Sequence, residues 1–112
     1  MTIEGDVRVV AHYFGLDPAL LQAVVNAEGN IVRAVQCTFP DVTDRREALQ
    51  VTARSAVHAL CDYVKRGGHP SQEAFVDMWA QRWAPVGAKN DPKSLNVNWP
   101  KNVLNGWLAS GA

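Results

Sequence analysis

The chain has 112 residues, 47% of them hydrophobic, which is enough to bury a core in one domain, residues 1–112, without a disulfide or a metal as a staple. Eleven basic and eleven acidic side chains cancel to a net charge of zero, so no global field draws in nucleic acid or an anionic membrane. No apolar run is long enough to span a bilayer, and the two cysteines form no Cys-x-x-Cys pair with the scattered His12, His58 and His69. No metal, no cofactor and no membrane insertion are expected, and Cys37 and Cys61 read as two buried free thiols, with a single disulfide as the alternative.

Residues 3 to 14 carry Ile3, Val7, Val10 and Phe14 at helical spacing, which predicts a first helix closed by Gly15. The opening MTIEGDVRVVAHYF has acids early and no basic segment ahead of an apolar one, so it does not read as a signal peptide. Synthesis in the cytoplasm is the corresponding expectation. Asp17 then caps a second helix that has Pro18 in its first position and Leu20, Leu21, Val24 and Val25 on one face. Glu28 falls on that face, and Gly29 stops the helix. A carboxylate on an apolar stripe loses hydration, and near a helix C-terminus it meets the negative end of the macrodipole. Both features disfavour the anion and suit a general acid.

Asn30 caps a short third helix, NIVRAVQCTF, with Ile31, Ala34 and Val35 inward and Pro40 as its expected terminator. Asp44 with Glu47 forms a capping box for a long helix from Arg45 to about Arg66. Its face of Leu49, Ala53, Ala56, Leu60 and Val64 marks it as the expected central helix, ending at Gly67 and Gly68, with His58 packed or hydrogen-bonded upon it. Ser71 caps the next helix, QEAFVDMWAQRW, in which Phe75, Met78, Trp79 and Arg82 share a face and Phe75 and Trp79 read as core.

From Ala84 to Asn98 the chain has no helical period and contains Asn90-Asp91-Pro92, so a long ordered loop is expected, held between Trp83 and Trp99. A last helix follows with Pro100 in its first turn and Val103, Leu104, Trp107 and Leu108 facing inward. The whole reads as an all-α domain of five to six helices. Sugars bind through planar hydrogen bonds from Asn, Asp and Gln and by stacking on aromatic rings, and Asn90, Asp91, Asn96 and Asn98 beside Trp83 and Trp99 supply that chemistry. No helix carries a basic face for DNA, so nucleic acid is not an expected partner.

The segment ALLQAVVNAEG resembles the helix that carries the catalytic glutamate in the lysozyme-like superfamily, in particular small phage and bacterial lytic transglycosylases and glucosaminidases. RWAPVGAKNDPKSLNVNWPKNV is similar to a late segment of several such phage proteins, in which an aromatic-Ala-Pro turn leads to Asn-Asp and then to a closing helix. The resemblance runs from about Leu16 to Leu108. It implies a lysozyme-like fold and cleavage of the β-1,4 glycan of peptidoglycan, with Glu28 protonating the glycosidic oxygen. Trp83, Asn90 and Asp91 match the late motif and would shape the edge of the cleft, with Asn98 and Trp99 beside them as substrate-binding candidates. Lytic transglycosylases usually place serine after the glutamate, where this chain has Gly29.

Glycosidases commonly use a second carboxylate, and with Asp44 occupied as a cap, Asp41 is the candidate. In transglycosylases one glutamate acts as acid and then base while a hydroxyl of the substrate attacks. The expected partner is the peptidoglycan strand, together with other virion proteins if the chain is phage-associated. Release by a holin or carriage on a virion would then bring it to the wall. The alternative is a lysozyme-like phage structural or wall-binding protein without catalysis.

Overall fold

A computed structural model describes residues 2–67, 71–86, 88, 91 and 95–110. Gly68, His69, Asn90 and Pro92, singled out above, lie outside them. Six helices follow in order: α1 (Ile3–Phe14), α2 (Pro18–Glu28), α3 (Ile31–Gln36), α4 (Arg45–Lys65), α5 (Gln72–Trp83) and α6 (Trp99–Ser110), with a 3₁₀ turn at Leu95–Asn98. No strand occurs among the described residues, and the fold is all-α.

The helix starts are set by local chemistry. Asp17, Asn30, Asp44 and Ser71 each adopt extended backbone and accept a hydrogen bond from an N–H of the first turn, as does Thr2 ahead of α1. Gly15 closes α1 in the left-handed region at φ 69°, donating back to the carbonyls of Ala11 and His12. One half of the expected capping box forms: the Glu47 N–H donates to Asp44 at 3.1 Å. The Glu47 side chain is exposed and takes another place, described below.

The helices pack in two interlocked groups. α4 packs against α1, α3 and α5, whereas α2 packs against α1, α3 and most extensively α6. The α2–α6 pair is antiparallel and close. A Cβ added to Gly106 would come within 3.2 Å of the Ala23 side chain, so glycine and alanine let the two axes approach. Indoles of α6 fasten both ends of α2: the Trp107 Nε1–H donates to Asp17 at 2.9 Å, and the Trp99 Nε1–H donates to Glu28 at 2.6 Å. The most tightly held helix is therefore α2, while α4 forms one wall.

Several details depart from the sequence reading. α3 ends at Gln36, well before Pro40, and the Gln36 amide donates to the Val42 carbonyl at 2.8 Å, which turns the chain toward α4. On α4 the core takes Ala48, Leu49, Thr52, Ala53, Ala56 and Ala59, leaving Leu60 and Val64 at 42% and 67% exposure. The stripe continues through Ala59 to Tyr63, whose ring meets Phe75 edge-on at 5.9 Å. α5 approaches from that side, so the small row is buried and the larger aliphatic row is not. Leu108 of α6 is 47% exposed, and Cys37 and Cys61 are free thiols at the surface, not in the core. The loop expected over 84–98 gives up its last four residues to the 3₁₀ turn.

One buried charge lay outside the periodicity. Asp6 of α1 is 4% exposed and is gripped by Arg45 and Arg46 at the start of α4, with contacts of 2.7 and 2.8 Å. Hydrogen bonds from Arg46 and Arg45 hold its carboxyl below the usual carboxylate range, against the opposing effect of burial. A depressed folded value means that the pair contributes its full stability above the ordinary value of 3.8 and loses it as the pH falls through the folded value. Asp6→Asn is expected to lower the Tm at pH 7, and in thermal melts the gap to the wild type should hold down to about pH 3.8 and close as the pH falls further.

Candidate functional site

Glu28 is the last residue of α2 and is half-buried. Its Oε1 accepts two hydrogen bonds, from Trp83 Nε1 at 3.2 Å and from Trp99 Nε1 at 2.6 Å. Trp83 ends α5 and Trp99 begins α6, so three helix termini meet at one oxygen. Among the described residues no hydrogen bond is made to Oε2. An α-helix that ends in glutamate normally lets that side chain fray into water; here the two indoles fix it.

Gly29 makes this placement available. It has φ 77° and ψ −49°, a conformation that side-chain-bearing residues rarely adopt, and its N–H donates to Val25 to close α2. A serine at this position would be strained by backbone alone, since no atom crowds the position.

Glu28 lines a groove of about 690 Å³. One wall comes from α4, where Glu47, Val51, Arg54, Ser55 and His58 repeat at helical spacing beside the core stripe. The opposite side is built from α3 and the segment after it, including Val35, Phe39 and Val42, and from Arg82 and Trp83 of α5. The groove thus carries two carboxylates, Glu28 and Glu47, together with apolar side chains and the guanidinium groups of Arg54 and Arg82. Ser55 is tied down, because its hydroxyl accepts from Trp79 Nε1 at 2.9 Å. Arg82 forms an ion pair with Asp62, and that guanidinium, with Arg66 and Lys65 nearby, holds the Asp62 carboxyl below the usual range.

The residues singled out in the sequence are divided among different tasks. Trp83 is half-buried and on the groove. Trp99 is 5% exposed, packed edge-on against Trp79 at 5.5 Å, so its face is part of the core. Asp91 is 7% exposed, and its two oxygens accept from the N–H groups of Leu95 and Asn96 at 2.7 and 3.0 Å. It starts the 3₁₀ turn, and both of its oxygens are engaged by backbone. Asn96 lines the groove while its amide donates to the Pro85 carbonyl at 3.0 Å. Asn98 is exposed and off the groove, and Asn90 lies outside the described residues.

Asp41 is also exposed and off the groove, although Phe39 and Val42 on either side of it are on the wall. The second acid on this surface is Glu47, which the capping-box pattern had assigned to a helix start. His58, expected to be packed, is exposed on the same wall. The sequence signal for this wall is the polar row at 47, 54, 55 and 58, which follows the same period as the core row next to it.

Among the described residues no cluster of three or more His, Cys, Asp or Glu is arranged to hold a metal, and no helix is long and apolar enough to cross a membrane. Compared with known proteins, the chain matches no family model, no curated protein and no solved structure.

Gly29→Ser places a side chain at a backbone conformation only glycine adopts freely, with an expected loss of about 1–3 kcal/mol. Denaturant titration should show a lower midpoint with an unchanged slope.

Proposed function

We propose that this protein cleaves the β-1,4 glycan strand of peptidoglycan, with Glu28 as the general acid that protonates the departing glycosidic oxygen. The observation that carries the reading is the state of that one side chain. Glu28 lines a groove, one of its oxygens is pinned by two indoles, and among the described residues no hydrogen bond is made to the other. A fixed acid on the lining of a partly apolar cleft is the arrangement general acid catalysis needs. The resemblance of the α2 helix and of the late Asn-Asp segment to lysozyme-like lytic enzymes supports the same reading, as it does an origin among phage proteins.

Glu47 supplies a second carboxylate on the groove, so attack by water with Glu47 as base or nucleophile stands beside attack by the substrate's own hydroxyl with Glu28 alone. The product ends separate these routes: water leaves a reducing sugar, internal attack does not.

One observation favours a second reading. The two indole bonds alone give Glu28 a structural duty, and a non-catalytic lysozyme-like phage or wall-binding protein would need nothing more from it. Glu28→Gln distinguishes the two readings, because the amide oxygen still accepts from both indoles while the transferable proton is gone. Turbidity clearing of bacterial walls is expected to fall roughly 10²- to 10⁴-fold with the Tm little changed. Equal clearing by the variant and the wild type would leave only the structural duty.

A further inference from the structure

We propose that Ser55 is a positioning residue for Glu28 and acts on it through Trp79, the centre of a cluster of three tryptophans. The kinetic consequence rests on the glycan reading of Glu28, whereas the geometry through which Ser55 acts does not.

Trp79 is fully buried, and its ring touches both of the indoles that hold Glu28. The Trp83 ring, one turn further along α5, lies tilted against it with centroids 6.0 Å apart, and the Trp99 ring of α6 meets it edge-on at 5.5 Å. Phe75, one turn earlier on α5, stacks on it at 6.1 Å. Within this apolar cluster the ring is oriented by one polar atom, because its Nε1–H donates to the Ser55 hydroxyl of α4 at 2.9 Å. An indole nitrogen is a donor only. Buried without an acceptor, that N–H would either stay unpaired, at the cost of its lost hydration, or turn the ring toward another partner.

A turn of that ring is not a local event. Protein interiors are packed without slack, so a planar side chain that rotates displaces whatever touches its faces and edge. Here the displaced groups are the two rings whose N–H groups meet at Glu28 Oε1, at 3.2 and 2.6 Å. Hydrogen bonds weaken steeply with angle, so a small shift of either indole loosens the carboxylate. The path from Ser55 to Trp79, to Trp83 and Trp99, and on to Glu28 is thus a direct contact at every step. Ser55 also stands on the groove wall, eight residues after Glu47 on the same helix. Its one hydrogen bond therefore sets the wall that carries Glu47 against the clamp that holds Glu28.

The test is a double-mutant cycle, read as initial rates on soluble glycan strands, since coupling through a packed network is shown only by its energetics. Ser55→Ala is expected to lower kcat about tenfold with KM unchanged, because a misplaced acid slows the chemistry and leaves binding alone. Ser55→Thr, which keeps an acceptor, should retain most of the rate. In a Trp79→Phe background there is no N–H to satisfy, and adding Ser55→Ala should cost nothing further. A loss of the same size in that background, a change in KM alone, or a fall in Tm with kcat unchanged overturns the inference.

A second measurement needs no turnover. Exchange of the Trp83 and Trp99 indole N–H protons with water, followed by NMR, should speed up about tenfold in Ser55→Ala and keep the wild-type rate in Ser55→Thr. The Trp107 N–H, which Asp17 accepts, should be unchanged in both and serves as the internal control. Unchanged exchange at Trp83 and Trp99 in Ser55→Ala overturns the inference. Faster exchange in Ser55→Ala, with no cleavage by the wild type, supports Ser55 as the positioning residue of the clamp and removes the glycan reading alone.

Discussion

Three helix ends are tied to a single oxygen. Glu28 closes α2, Trp83 closes α5 and Trp99 opens α6, and both indole N–H groups converge on Glu28 Oε1. The residues between the two tryptophans thereby become a closed loop whose ends are held together by a shared acceptor. The cost of closing a loop grows only slowly with its length, and at its base stand two hydrogen bonds and the packing of Trp99 against Trp79. Asp91 then organises the loop from within by accepting from two backbone N–H groups ahead of α6.

The same constraint explains why α2 is gripped so closely. Trp107 on α6 reaches Asp17 at one end while Trp99 reaches Glu28 at the other, and between them Gly106 lies against Ala23. Both indole–carboxylate bonds depend on the axes coming close, and the small residues allow it. α4 obeys a related rule. Its alanine row is buried, so its neighbours sit near, and the row beside it is turned into the groove with Glu47, Arg54 and His58. The wall of the groove and the wall of the core are adjacent stripes of one helix.

In the proposed chemistry, structural and reactive duties fall on different atoms of one side chain. An acid used in catalysis must be held in a narrow range of positions, and side chains at helix ends are usually the least constrained. Fixing Oε1 with two rigid aromatic donors removes that freedom, while among the described residues Oε2 accepts no hydrogen bond. Gly29 completes the arrangement by letting the chain leave the helix along a path closed to other residues.

What the residues announced by themselves was whatever is decided within a few positions of chain. The caps at Asp17, Asn30, Asp44 and Ser71, the stop at Gly29, the limits of α1, α2 and α5, and the placement of Glu28 at a helix end follow from hydrogen bonds and spacings of three or four residues. What only the folded chain decided involves partners far apart in sequence. Asp6 meets arginines 39 and 40 positions away, and Glu28 meets indoles 55 and 71 positions away. Which of two neighbouring rows on α4 faces the core depended on the side from which α5 approached. Periodicity defines a stripe but carries no information about what lies across from it, so neither the place of Glu47 on the groove nor the burial of Trp99 against Trp79 could be read before the helices were packed.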